Sequence, residues 1–384
     1  MEDTESEWVY CLDVAEHHNF FASGTLVHNC QDLNACQRDL ILRARGRTID
    51  AATGEISEGR FLFVGDDRQA IMGFAGADTR SFWTIQEKLG ATVLPLDICY
   101  RCPKSHVRLA AEIVPDIRHA PTAKEGEIVS IFAADAAQAI QKNDLIMCRK
   151  TAPLVGLCLR LIRAGKPAQV RGRDIAAQLI ELTDTIQEIA NTYPPCSFLE
   201  ALQRWEDAQA ERLRDLDDAE ERIERIRDMA ESLRVCYQEW GSAEAMKAKI
   251  GAIFADSDAA IWLSTVHKAK GLEADNAFIL HPRDMPLTRK GQTEEQFQQE
   301  LNILYVALTR GKKRLTFIHK DGDPLPESPL ENLGNLAGTS YREGEAGDDW
   351  EKDANAAYER DIMGGLARDI RTQKMNERIN QIGR

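Results

Sequence analysis

The stretch Phe61-Leu-Phe-Val64 runs straight into Gly65-Asp-Asp-Arg-Gln-Ala-Ile71. Four apolar residues closed by a glycine read as a short strand of the buried type. The polar side chains that follow then fall at the strand's carboxyl end, where open α/β sheets bind their ligands. The flanking sequence repeats the pattern. Upstream, Cys30-Gln-Asp-Leu-Asn34 leads into an amphipathic helix over Ala35–Arg45, with Leu40, Ile41 and Leu42 turned inward. Downstream, Thr92-Val-Leu-Pro-Leu96 reads as a second strand, followed by Cys99-Tyr-Arg101 and a helix that begins after Pro103. Asp144-Leu-Ile-Met-Cys148 reads as a third strand, with a helix over Leu154–Ala164 behind it. Strands alternating with helices predict an α/β protein built on a parallel sheet.

The first 29 residues do not follow this rhythm. Trp8-Val-Tyr-Cys-Leu-Asp-Val14 alternates like a strand, Ala22-Ser-Gly-Thr25 reads as a turn, and Leu26-Val27 as a second short strand. An ordinary hairpin ahead of a helix would read the same way, but it leaves the ending His28-Asn29-Cys30 unexplained. An asparagine amide can attack its own backbone carbonyl, close a succinimide and cut the chain behind itself. A neighbouring imidazole can polarise that carbonyl or move the proton. A thiol at the next position can accept an acyl group and pass it to its own amine.

The stretch from Val9 to Cys30 resembles the two C-terminal motifs of inteins nearly throughout. The resemblance implies that Asn29 cyclises, His28 assists, His18 is the upstream catalytic histidine and Cys30 is the downstream nucleophile. His17 is then a bystander. Inteins commonly carry aspartate where this chain has Cys11, and the role of Cys11 stays open. A complete intein also needs an N-terminal splicing half, which 29 residues cannot contain. The expectation is a partner chain, or an upstream segment, bearing that half.

Beyond Cys30, five motifs occur in a fixed order. They are Gln31-Asp-Leu-Asn34, Gly65-Asp-Asp-Arg-Gln-Ala-Ile-Met-Gly-Phe-Ala-Gly-Ala77, Tyr100-Arg101, Thr265-Val-His-Lys-Ala-Lys-Gly-Leu-Glu273 and Leu304-Tyr-Val-Ala-Leu-Thr-Arg310. Singly each is weak. In this order, from Cys30 to about Lys320, the chain resembles superfamily-one DNA helicases of the UvrD/Rep type. That family's second motif reads Asp-Glu-x-Gln-Asp. Cys30 takes the x position, Gln31 and Asp32 close the motif, and the Mg2+-holding Asp-Glu pair is expected upstream. The resemblance implies that Gln69 senses a γ-phosphate, and that Arg101 and Arg310 stabilise charge on the transferred phosphoryl. It also implies that Tyr100 stacks on adenine and that Glu273 lies near the ribose. Phe74, Thr265, His267 and Lys268 match positions that hold single-stranded DNA by stacking and by contacts to phosphates. Met72 and Ala75 replace a common tyrosine and arginine, so contacts in that loop are expected to be weaker.

No Gly-x-x-x-x-Gly-Lys-Ser/Thr occurs: Gly165-Lys166 is followed by proline and Gly311-Lys312 by lysine. A phosphate-cradling loop would have to come from elsewhere, and the chain alone is expected not to hydrolyse ATP. The expected cofactors are ATP and Mg2+, shared with the N-terminal half. The expected partners are single-stranded or duplex DNA and that N-terminal helicase–intein half, with translocation from 3′ to 5′. Two other readings stay open. One is a non-enzymatic DNA- or protein-binding fragment of an interrupted gene, and the other is a chain whose sole autonomous activity is trans-splicing.

From Ser197 to Trp240 there is neither glycine nor proline, and apolar residues recur at three-and-four spacing from Leu213 through Ile223 and Leu233 to Trp240. This predicts one long amphipathic helix or a tight helical pair. It would be either a solvated helix packed on the motor core or, by the resemblance, an accessory subdomain. After Ile318 the chain turns Gly- and charge-rich; 321–350 reads as a linker and Trp350–Arg384 as a terminal helix.

The expected fold class is α/β. It comprises RecA-like parallel-sheet helicase motor domains, the first incomplete, with a helical insertion and a short β segment of intein type in front. The boundaries are 1–29 (intein), 30–98 (first motor domain), 99–174 and 256–320 (second motor domain), 175–255 (insertion) and 321–384 (tail).

Composition fits this reading. Across 384 residues, 43% hydrophobic and 29% charged content suits a soluble globular protein of two or three domains. There is no apolar run long enough for a membrane span and no basic-then-apolar leader, so a cytoplasmic location without membrane partners is expected. The net charge of −14, from 48 basic and 62 acidic residues, argues against generalised nucleic-acid stickiness but leaves room for a local basic groove. The nine cysteines are scattered; Cys99-x-x-Cys102 is the one close pair and has no second pair to complete a metal site. Free thiols are the expectation.

Overall fold

A computed structural model of the chain describes residues 19–22, 25–29, 32–43, 47–49, 56–58, 62–73, 81–192, 194–214, 216, 219–254, 261–289 and 291–332. The expected strand at Trp8–Val14, the residues His18, Cys30, Gln31 and Phe74, and the expected terminal helix lie outside them. The chain divides into two compact units, Met1–Leu96 with Leu287–Val306, and Asp97–Pro286 with Ala307–Arg384.

In the first unit, β1 (Asn19–Ala22) and β2 (Thr25–Asn29) form an antiparallel hairpin with Ala22 opposite Thr25. Helix α1 (Ala35–Arg43) follows, then the small antiparallel pair β3 (Arg47–Ile49) and β4 (Ile56–Glu58). Strand β5 (Leu62–Val64) pairs in parallel with β2, Asn29 lying beside Val64. Helix α2 is Ser81–Leu89. The start of α1 is held by a reciprocal pair of bonds. The Gln37 N–H donates to Asn34 Oδ1 (2.8 Å), and the Asn34 N–H donates to Gln37 Oε1 (3.0 Å), which satisfies two otherwise orphaned donors. Leu33 and Ile85 form a small core with Phe63, Phe82 and Leu89 against it.

Two sequence expectations fail here. Leu40 is 67% exposed rather than turned inward, because α1 buries Arg38 and docks through the preceding Leu33. The Arg38 guanidinium donates to Ser81 Oγ (3.3 Å), whose hydroxyl in turn donates to the Leu33 carbonyl (3.0 Å). Thr92–Leu96 is not a strand. It has no regular structure, and Leu94 and Leu96 are 77% and 88% exposed. Pro95 supplies no ladder donor in its middle.

The second unit opens with β6 (Ile98–Cys99), which pairs in parallel with β7 (Arg118–His119) across α3 (Lys104–Ala111). Then come β8 (Glu127–Phe132), α4 (Ala133–Ala139), β9 (Leu145–Cys148), α5 (Thr151–Arg163) and β10 (Ala168–Val170). Four helices follow without a strand: α6 (Arg173–Asn191), α7 (Phe198–Leu213), α8 (Ala219–Trp240) and α9 (Ala243–Ile253). The second unit continues through β11 (Ile261–Thr265), α10 (Val266–Ala269), β12 (Ala274–Leu280) and β13 (Gly311–His319); α11 (Glu294–Leu308), which precedes β13 in the chain, belongs up to Val306 to the first unit. The six strands β8 to β13 make one all-parallel sheet in the order β10-β11-β9-β12-β13-β8. Strand β9 is central and wholly buried, as a run without alternation requires.

The inserted helices share the sheet's core. Leu179 and Ile186 of α6, Leu233 and Cys236 of α8, and Met246 and Ile250 of α9 bury with Leu157 of α5 and Ile146 of β9 in one continuous cluster. The tight helical pair is therefore the correct alternative: α7 stops at Leu213 and α8 starts at Ala219. Ser197 caps α7 in a reciprocal pairing with Glu200. Gly241, at φ +74°, ends α8 by a bond from its N–H to the Tyr237 carbonyl (2.8 Å). Among the described residues no helix is long and apolar enough to cross a membrane.

Candidate functional site

In the first unit, the polar run after β5 folds into a single 3-10 turn over Asp67–Gln69. Asp66 caps it. Its Oδ1 accepts from the Arg68 N–H (3.0 Å) and its Oδ2 from Gln69 Nε2 (2.6 Å). Burial raises the Asp66 pKa against the opposing bond from Gln69. The Gln69 carboxamide is thus held by a neighbour, with Ala70 and Ile71 buried behind it. Asn302 of α11, 2% exposed, secures the turn from below by donating to the carbonyls of Asp67 (3.1 Å) and Ala70 (3.2 Å). Trp83 Nε1 donates to Asp67 Oδ2 (3.1 Å). Asp32 is half-buried just ahead of α1. His28 and Asn29 are the last two residues of β2.

In the second unit, four residues gather where β12 and β13 begin. Arg101 Nη1 lies 3.8 Å from Glu273 Oε2, and Lys312 makes a closer ion pair with the other carboxylate oxygen. The bond from Lys312 holds the Glu273 carboxyl below the usual carboxylate range, and the fields of Arg101 and Arg310 add to it. Arg310 itself is 2% exposed. Its Nη1 donates to the Leu272 carbonyl (3.4 Å) and its Nη2 to Thr309 Oγ1 (3.2 Å). Tyr100 is 69% exposed. Gly311 has to be glycine: a Cβ there would sit 2.9 Å from the Arg314 carbonyl oxygen and 3.3 Å from the buried His106 ring. Two cations thus pair with one carboxylate, the buried Arg310 adds its field, and the exposed Tyr100 adjoins Arg101 in the chain.

Thr265, His267 and Lys268 lie elsewhere. Thr265 is the last residue of β11, in register with Cys148, which is itself in register with Leu280 at the end of β12. Arg101, Glu273, Arg310 and Lys312 sit by the first residues of β12 and β13, where Ala274 pairs with Gly311. The two sets therefore occupy opposite edges of the sheet, roughly 20 Å apart at about 3.3 Å per strand residue. Thr265 caps α10, its Oγ1 accepting from the Lys268 N–H (3.4 Å). Burial, aided by Arg149 and Arg225, drops the His267 pKa to about 3, so the ring is neutral. The Lys268 ammonium is paired with Asp174 in the first turn of α6.

Sequence reading missed three residues that hold these sets in place: Asn302, Lys312 and Asp174. A signal existed for Lys312, since Gly311-Lys-Lys-Arg314 follows Arg310 directly. Among the described residues there is no group of three or more His, Cys, Asp or Glu fit for a metal ion.

Comparison with known proteins bears on the same region. Residues 141–321 match the family described as the UvrD-like helicase C-terminal domain. The chain is 46% identical over 65 residues to F-box DNA helicase protein 1 of Schizosaccharomyces pombe, covering 16% of this chain and 7% of that protein. It is 36% identical over 64 residues to ATP-dependent DNA helicase PcrA of Leuconostoc citreum, covering 16% and 8%. The matched stretches thus span less than a tenth of either relative. At the level these findings reach, part of the chain is of DNA-helicase type.

Proposed function

We propose that this chain is the C-terminal portion of an ATP-dependent DNA helicase, completed by splicing to an N-terminal half that carries the phosphate loop. The observation that carries the reading is the cluster of Arg101, Arg310 and Lys312 around Glu273, all but Arg101 within residues 141–321, which are similar to helicase C-terminal domains. A net excess of positive charge suits a polyphosphate, and the open face of Tyr100 suits a flat base. ATP would supply the phosphoanhydride whose cleavage drives movement. Arg101 and Arg310 would stabilise charge on the transferred phosphoryl, Lys312 would hold Glu273 toward the ribose, and Gln69 would answer to the γ-phosphate. Arg310 is enclosed as it stands, so its part requires it to leave the Leu272 carbonyl. Gln31 and Asp32 would complete the motif whose Asp-Glu pair comes with the other half. Mg2+ would be held by the Asp-Glu pair of the other half; among the described residues no three His, Cys, Asp or Glu gather to hold one.

At the opposite sheet edge Thr265, His267 and Lys268 would contact single-stranded DNA, Phe74 would contact it by the family resemblance alone, and movement would run from 3′ to 5′. The hairpin β1–β2 supports the splicing part, since it ends at Asn29, the residue read as cyclising before Cys30, with His28 and His18 assisting. The test is to combine the chain with a half bearing the phosphate loop and an intein N-terminal segment, then assay ligation and DNA-stimulated ATPase. Asn29→Ala should stop cleavage after residue 29. Arg310→Ala should ligate normally and lose ATPase at least a hundredfold. Normal ligation by the first variant would remove the intein assignment, and retained ATPase in the second would remove the role of Arg310.

A further inference from the structure

We propose that Cys99 and Cys102 are a reversible dithiol–disulfide modification site whose oxidation is felt at Arg101 and Arg310. Cys99 ends β6 and is half-buried, whereas Cys102 lies three residues on and is 2% exposed. The two sulfurs are within hydrogen-bonding reach of one another, and Arg101 stands between them in the chain. Cys102 also donates through Sγ to the Thr309 carbonyl (3.3 Å), and Thr309 leads directly into Arg310. One pair of thiols therefore touches both arginines of the cluster through backbone or bond. The other described cysteines do not share this setting. Cys148, Cys158 and Cys236 are buried, with thiols pushed up to about 12, Cys36 is exposed on α1, and Cys196 is half-buried just ahead of α7, with no second cysteine near it in the chain. The Cys99 thiol is pulled the other way, below its usual range, first by its contact with Cys102, with burial opposing and the Cys102 and Arg101 backbone and the Arg101 charge assisting. It is the described thiol best placed to attack.

The co-reactant is a low-molecular-weight disulfide. The Cys99 thiolate attacks one of its sulfurs, forms a mixed disulfide and expels a thiolate. Cys102 then attacks the Cys99 sulfur, closes the protein disulfide and expels the second thiolate, which takes up the Cys102 proton. Two protein thiols are oxidised and one external disulfide is reduced to two thiols. The S–H that bonds the Thr309 carbonyl is lost in the process.

The formation of the disulfide stands on the thiol geometry alone; its effect on nucleotide rests on the proposed function. The test exposes the full chain to a series of reduced-to-oxidised glutathione ratios, followed by acid quench, alkylation, mass mapping and hydrogen exchange. The expected result is loss of two free thiols, with Cys99 joined to Cys102 and reversal by dithiothreitol. The segment holding Thr309 and Arg310 should exchange faster in the oxidised form. Cys102→Ser should stop at a glutathione adduct on Cys99, and Cys99→Ser should form neither product. Oxidation that joins other cysteines first, or a disulfide that leaves exchange at 309–310 unchanged, would overturn the inference. In the ligated enzyme, oxidation should weaken binding of a fluorescent ATP analogue in the wild type but not in Cys99→Ser. Disulfide formation with the exchange change, but no nucleotide binding in either state, would uphold the inference and sink the proposed function.

Discussion

At the scale of single residues, the environment of each candidate side chain limits what it can do. His267 is a neutral hydrogen-bonding group rather than a cation, since its pKa has fallen to about 3. Because the folded value lies below the unfolded value near 6.5, the unfolded chain takes up the proton first. Stability from the neutral ring is complete above about pH 6.5 and is lost as pH falls toward 3, by up to about 1.4 kcal/mol per unit. Nuclear magnetic resonance should show the ring uncharged at pH 5, and a mid-range titration near 6.5 would refute this. Arg310→Ala should cost about 1–3 kcal/mol in urea unfolding, since the half-buried Leu272 carbonyl loses a charged donor and Thr309 Oγ1 a buried one. Much of this was legible beforehand at the level of residue type and order. What was not legible was partnership. The pairs Lys312 with Glu273 and Lys268 with Asp174 are invisible in the sequence, because neither is local in the chain. The outward turn of Leu40 was equally hidden, since a run of three apolar residues does not say which one faces in.

At the scale of elements, the helices between β10 and β11 serve the sheet as much as themselves. Asp228 of α8 accepts from the N–H groups of Thr151 (2.7 Å) and Ala152 (2.9 Å), capping α5 from outside its own sequence. Leu233→Ala should therefore destabilise the second unit by about 2–5 kcal/mol, measured by thermal or urea unfolding. A cost under 0.5 kcal/mol would mean that α8 does not belong to this core. The contact of α6 with α10 yields a binding prediction. If Lys268 meets a phosphate, it must give up Asp174. Asp174→Ala should then raise affinity for single-stranded DNA several-fold at low salt, as followed by fluorescence anisotropy, and the gain should shrink as salt rises. Strand β9 and helix α5 were readable from composition, because a buried parallel strand is an unbroken apolar run. The division between α7 and α8 was not, because three-and-four spacing continues on both sides of the break.

At the scale of the whole molecule, the parallel sheet explains why one chain can carry two unlike sets of residues. The inserted helices are part of its core, so excising 175–255 should leave an unfolded second unit rather than a trimmed motor. Circular dichroism and proteolysis would show this, and a cooperative melt in the excised form would count against it. The alternation of strands and helices announced the sheet, but the placing of the two sets at its opposite edges needed strand register. Only eight residues, 266 to 273, join the end of β11 to the start of β12, with β9 seated between those strands. Parallel crossovers usually take a dozen or more. This one has almost no slack. If the proposed nucleotide and DNA sites are right, lengthening it by two glycines would leave each set of residues its own contacts while cutting the mechanical conversation between them, as a loosened tie rod still joins two wheels but no longer steers them together.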